Sequence, residues 1–311
     1  MTSLRGKLVR ILIANKHLLK GKLKREVIDS STSIEKLRND IKTVAEKISK
    51  LPRGVKVTTS EFDKFYSEWI IPENCDENKV ILYFHGGGFI AGSSEDHRTI
   101  VANFAKRCQV KCLVFNYSLA PEKPFPAAIM DSIDIYSWLL EIGYCPKNIM
   151  FAGESAGGGL EISTVLMLKE MKIRLPKAIV AISPCADMTC SGKSNTTKKY
   201  IDPCIPIGAN EIYTDYYTGN HDPKDPIISP IFADFTGICP IMIQVGTDEI
   251  LLDDSIRLAK KAEEDGVDIS IHVWERMFHC FTLLSSILPE ADDSMEEICQ
   301  FISKHLLYNI N

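Results

Sequence analysis

Two glycine-rich motifs stand in an order that could do acyl-transfer chemistry: His85-Gly86-Gly87-Gly88-Phe89, then Gly153-Glu154-Ser155-Ala156-Gly157. A serine hydroxyl is a weak nucleophile at neutral pH, so it needs a base to take its proton and donors to hold the charge that develops on the substrate oxygen. Ser155 is the candidate nucleophile. Gly153 and Gly157 flank it as small residues should on a sharp strand-to-helix turn, where backbone segments approach closely. The consecutive glycines at 86–88 let the main chain turn its N–H groups toward a carbonyl oxygen, and the N–H of Ala156 would complete that set.

The base should be a histidine held by a carboxylate, in the chain order serine, acid, histidine. Among seven histidines, His272 lies inside a strand pattern, and His17, His97, His221 and His305 fall in helix or loop contexts that read as surface positions. His279 comes just after the last strand, where it could reach back over a sheet. For the acid, Asp248 follows the strand ending at Val245 through Gly246-Thr247, at a carboxyl end where ligand sites of open α/β sheets gather. Glu249, Asp253 and Asp254 are rivals, the last two better read as capping the next helix. A neutral base at His279 predicts activity falling on the acid side near a pKa of about 6.5, shifted by Asp248.

Each motif follows an apolar run, Val80 to Phe84 and Asn148 to Ala152, that reads as a buried strand. From Val55 onward the pattern is extended and then alternates: strands at 79–84, 110–117, 148–153, 178–183, 240–245 and 267–274, with helices near 97–108, 126–141, 156–171, 253–265 and 292–307. Alternation of this kind predicts an α/β fold with a mostly parallel sheet covered on both faces. Residues 187–236 break the rhythm with five prolines and a tyrosine cluster, which reads as an insertion. Residues 1–50 read as helical, with Leu4, Leu8, Ile11 and Leu12 at helical spacing. They suit a lid or packing helix, or a basic amphipathic helix on anionic lipid.

With 311 residues and 45% hydrophobic content, the chain can bury a large core. A net charge of −5 offers nucleic acid no overall attraction. Ten cysteines are scattered without CxxC pairs, which reads as core residues of a protein in the reducing cytoplasm. No apolar run is long enough to cross a bilayer, and no cleavable leader is apparent.

Taken together the motifs resemble the hormone-sensitive-lipase-like family of α/β hydrolases. The likeness extends through Tyr117-Ser118-Leu119-Ala120-Pro121-Glu122, Phe125-Pro126-Ala127-Ala128, Asp131, Ser183-Pro184 and the Asp248 and His279 segments. It implies an α/β-hydrolase fold with a helical cap and a carboxylic-ester hydrolase acting through an acyl-enzyme on short to medium acyl esters. Ser155 would be the nucleophile, His279 the general base and acid, Asp248 the residue orienting it, and Gly87, Gly88 and Ala156 the oxyanion hole, with His85 supporting the glycine loop. The domains would then be 1–50 and 187–236 for the cap, and 51–186 and 237–311 for the core. The resemblance implies no metal or organic cofactor, a small-molecule ester as partner, and compatibility with a homodimer. A lipase or amide deacetylase is the second reading; a non-catalytic receptor of the same fold, which would have lost the histidine, is the third. Ser118, Glu161 and Cys280 depart from the usual residues, and a thiol beside the base suggests sensitivity to oxidants.

Overall fold

The computed structural model describes residues 2–19, 23–48 and 50–307. Of the helical stretch expected over 1–50, positions 1, 20–22 and 49 lie outside the described residues. The remainder forms α1 (Leu4–Ala14), the short α2 (Lys16–Leu19) and α3 (Ile34–Ile48), with an extended passage between them in which Val27 bridges Ile207. The helical reading of 1–50 is thus interrupted.

Eight strands make one sheet: β1 (Val55–Thr59), β2 (Ser67–Pro72), β3 (Val80–Phe84), β4 (Lys111–Phe115), β5 (Ile149–Glu154), β6 (Ile179–Ile182), β7 (Ile241–Gly246) and β8 (Ile269–Trp274). Their order is β1-β2-β4-β3-β5-β6-β7-β8, antiparallel where β2 meets β1 and β4 and parallel elsewhere. The strands from β3 to β7 are buried on both faces, which is why they read as apolar runs rather than as alternations.

Helices α4 (Ser94–Cys108), α5 (Ala127–Glu141), α6 (Ala156–Glu170), α7 (Lys193–Thr197), α8 (Ala209–Thr218), α9 (Leu252–Glu264) and α10 (Pro289–Ile302) follow. Along β3 the side chains divide by parity. Val80, Leu82 and Phe84 join a core with α5, α6 and α9, whereas Ile81 and Tyr83 join a second core with α4 and α10. The connection from β3 to β4 runs through α4, and that from β4 back past β3 to β5 runs through α5 on the other face. The sheet order therefore reverses between β3 and β5, and that switch point opens a crevice at the strands' carboxyl ends. Phe84 is in register with Gly153, so the two glycine-rich motifs leave the sheet side by side.

Candidate active site

Ser155 turns the chain from β5 into α6 with φ 58° and ψ −122°, in a region non-glycine residues seldom occupy. Three bonds fix the turn: Ser155 N–H donates to Ile182 O at 2.9 Å, while Ser155 O accepts from Gly159 N–H at 3.2 Å and Cys185 N–H at 3.0 Å. A Cβ on Gly157 would fall 2.1 Å from Phe84 O and one on Gly153 would fall 2.8 Å from Gly157 O. Neither position can carry a side chain without moving backbone. The turn thus aims the Ser155 hydroxyl outward, at the N-terminal end of α6.

The Ser155 hydroxyl lies 2.9 Å from His279 Nε2, and His279 Nδ1 lies 2.9 Å from Glu249 Oε2. A carboxylate only accepts, so Nδ1 carries the proton and Nε2 is left to accept from the serine O–H. Glu249 is fully buried, and its other oxygen accepts from Gly246 N–H at 2.5 Å and Ser183 Oγ–H at 3.0 Å. Both oxygens are therefore occupied, which holds the carboxylate in one orientation.

This arrangement corrects the expectation for Asp248. Its side chain points away from the imidazole and pairs with Arg10 Nη2 at 2.7 Å, with Lys198 Nζ at 3.9 Å. The reason is local. Gly246 packs so tightly on the following loop that a Cβ would lie 2.2 Å from Met277 O, and Asp248 N–H donates to Met277 O at 2.9 Å. From that anchored turn it is Glu249, one residue on and one methylene longer, that reaches back under His279. Of the predicted site residues, the structure gathers Ser155, His279, Gly87, Gly88 and Ala156 around one cavity and leaves Asp248 outside it.

The cavity measures about 280 Å³ and is mainly apolar. The glycine loop borders it with φ 125° at Gly87 and 65° at Gly88, and Gly88 sits so close to Tyr213 that a Cβ would fall 2.3 Å from its ring. Gly86 N–H donates to Glu154 Oε1 at 2.6 Å, fixing where the loop begins. Among the described residues the Gly87 and Gly88 N–H groups have no acceptor within the protein, which leaves them to serve a ligand oxygen.

Behind the loop stands a second histidine–carboxylate pair that sequence reasoning missed. His97, expected at the surface, is largely buried; its Nε2 is 3.1 Å from Glu154 Oε1 and its Nδ1 is 3.0 Å from Ser93 O. Both ring nitrogens face acceptors, as an imidazolium requires. Burial opposes that charge, but the hydrogen bond and charge of Glu154 outweigh it and raise the His97 pKa. His85 is the opposite case. Burial and the neighbouring His97 push its pKa down to about 3, so it stays neutral and bonds Gly86 O through Nδ1 at 2.8 Å. Its ring stacks on Tyr117, whose hydroxyl donates to His85 O at 2.8 Å.

Arg38 of α3 also escaped sequence reasoning. Its guanidinium takes Glu122 in a two-point bond at 2.8 Å each and donates to Ile90 O at 2.7 Å and Ala120 O at 2.9 Å. The signal was faint, an arginine on an amphipathic helix with no motif linking it to the distant Glu122. Cys280 Sγ lies 3.4 Å from His279 Nε2, and burial raises its thiol pKa despite the histidine. Among the described residues no three His, Cys, Asp or Glu side chains gather as a metal site.

The comparisons with known proteins agree with this fold. A family model described as alpha/beta hydrolase fold matches residues 81–283. An acetyl-hydrolase of Streptomyces hygroscopicus is 35% identical over 236 residues, covering 76% of this chain and 79% of that protein. An esterase of Acinetobacter venetianus is 34% identical over 74% of this chain and 77% of its own length. A crystal structure of an esterase from the bacterial hormone-sensitive lipase family superposes with a TM-score of 0.89 at 31% identity, covering 98% of this chain and 99% of that one. The chain belongs to the α/β-hydrolase-fold family, in its hormone-sensitive-lipase-like branch.

Proposed function

We propose that the protein is a serine carboxylesterase that hydrolyses short to medium acyl esters through an acyl-enzyme, with a Ser155–His279–Glu249 relay. The observation that carries this reading is the unbroken chain of 2.9 Å contacts from hydroxyl to imidazole to buried carboxylate. Ser155 Oγ attacks the ester carbonyl while His279 Nε2 takes its proton. The oxyanion of the tetrahedral intermediate is met by the N–H groups of Gly87, Gly88 and Ala156. His279 returns the proton to the departing alcohol, then draws one from water, which attacks the acyl-serine and frees the acid. Glu249 fixes the imidazole's tautomer and stabilises its charged form. The completeness of the relay favours an enzyme over a receptor of the same fold.

In this reading α1–α3 and residues 187–236 form the cap. Leu37 and Ile41 of α3 and Ile205 and Tyr213 of the insertion line the cavity opposite Ser155, so these segments set acyl preference. The relatives' names, acetyl-hydrolase and esterase, support the same substrate class. Incubation with a fluorophosphonate should add the phosphonyl mass to the peptide bearing Ser155, and Ser155→Ala should lose labelling and at least about 10⁴-fold in kcat/KM on p-nitrophenyl acetate. Undiminished hydrolysis by Ser155→Ala would refute the proposal. Rates along a ladder of p-nitrophenyl esters should decline beyond medium acyl lengths.

A further inference from the structure

Helix α1 is apolar on two sides, and only one of them is packed. Val9 and Ile13 rest on the cluster of Met277, Phe278 and Phe281 under the His279 loop, and Gly6 sits so near Glu290 that a Cβ would fall 2.9 Å from its carboxylate. The residues whose spacing marked the helix in the sequence point the other way. Leu4 is 84% exposed, Leu8 57%, Ile11 54% and Leu12 49%. With about 100° between successive residues, these four fall within an arc of about 100°. Exposed Lys7 borders that arc on one side and exposed Arg5 on the other.

A stripe of leucine and isoleucine turned to water carries a cost that a soluble surface helix avoids. Its borders identify what covers it. Every charged residue before Glu26 is basic, whereas the whole chain carries −5. A two-fold contact between copies through this stripe would set Arg5 and Lys7 of one against those of the other, which like charge opposes. Anionic lipid satisfies both features: the stripe enters the acyl boundary while Arg5 and Lys7 extend along it to the headgroups.

We infer that the exposed face of α1 is a docking surface for anionic membranes, on which the protein lies without crossing the bilayer. Among the described residues no helix is long and apolar enough to span one, so the attachment is peripheral and reversible. The inference stands on α1 alone and does not depend on the ester chemistry. It goes beyond that reading by giving the enzyme a place to work.

The test is flotation of the full chain with vesicles of phosphatidylcholine alone and of phosphatidylcholine with phosphatidylserine. Binding to the anionic vesicles should be at least about tenfold stronger and should weaken as salt rises. The triple change Leu4→Ser, Leu8→Ser and Leu12→Ser should lower it about tenfold or more. So should Arg5→Glu with Lys7→Glu, which leaves the apolar stripe intact and separates loss of docking from loss of fold, provided its thermal midpoint matches the parent's. Equal partition onto both vesicle types, or anionic binding unchanged in both variants, would overturn the inference. So would a dimer, seen by light scattering in the parent, that the leucine changes dissolve.

Discussion

The backbone at Ser155 sits at φ 58° and ψ −122°, a conformation that costs on the order of 1–3 kcal/mol for a residue with a Cβ. Three backbone bonds and the bare glycines at 153 and 157 hold it there, and the gain is a hydroxyl presented to His279 at 2.9 Å. The imidazole's own titration follows from its neighbours. Burial disfavours its charged form, but the hydrogen bond and charge of Glu249 favour it, and its pKa lies above the ordinary 6.5. Because the neutral ring is the base, activity is present above that raised value and lost as pH falls through it. The acid limb of a kcat/KM profile should therefore inflect above the value of about 6.5 expected for an unperturbed histidine. An inflection at or below it would contradict the electrostatics described. At this scale the sequence was informative about Ser155 and His279, whose types and flanks are distinctive. It was not informative about the acid. Asp248 and Glu249 are adjacent carboxylates after the same strand, and only the contact of Gly246 with Met277 decides which of them turns inward.

At the scale of elements, strands were easier to read than helix faces. Burial on both sides makes β3 to β7 continuous apolar runs, whereas a helix with two apolar sides, such as α1, does not reveal which side packs. Leu4, Leu8 and Leu12 announced a helix correctly, but their spacing could not tell a face packed on the core from one turned outward, and they are exposed. His97 went unnoticed for a similar reason, since its partner Glu154 lies far off in the chain and no spacing links them. Helix α3 shows how elements secure the site. Arg38 ties it to the segment after the glycine loop through Ile90 O and Ala120 O as well as Glu122. Glu122 is mostly exposed, so the ion pair itself contributes little; the carbonyl bonds matter more. Arg38→Ala should lower stability by about 1–3 kcal/mol in urea unfolding and reduce kcat/KM several-fold as α3 loosens over the cavity. Arg38→Lys should recover only part of this, because a single ammonium cannot span the same acceptors. Full recovery by lysine would show that charge alone suffices.

Across the whole molecule, the alternation of strands and helices made the doubly covered sheet legible, and the register of Phe84 with Gly153 explains why two distant motifs meet. What sequence could not disclose is which acids the fold buries. Glu161 is fully buried and, among the described residues, neither of its oxygens has a partner; burial raises its pKa well above the usual carboxylate range. Asp254 is equally buried; its Oδ2 accepts from the N–H groups of Ala186 and Asp187 at 3.0 Å each while Oδ1 has no partner among the described residues. Burial pushes its pKa up to about 8. A carboxyl that stays neutral in the fold but ionises in the unfolded chain binds more protons when native. Its contribution to stability therefore declines as pH rises from the unfolded value near 3.8 toward about 8. Asp254→Asn removes this dependence, so its stability relative to the parent should improve between pH 5 and pH 8 by on the order of a few kcal/mol. A difference that does not change with pH would show that Asp254 ionises in the fold.

In the proposed mechanism Glu249, and not its neighbour Asp248, orients the catalytic imidazole. Steady-state kinetics of Glu249→Gln and Asp248→Asn on one soluble aryl ester tests it directly. Glu249→Gln should lower kcat by as much as about 10⁴-fold, as expected when the carboxylate behind a triad histidine is neutralised. Asp248→Asn, which loses only its pairing with Arg10 and Lys198, should stay within about tenfold of the parent. The reverse ranking, with Asp248→Asn crippled and Glu249→Gln near normal, would show that Asp248 rather than Glu249 orients the imidazole.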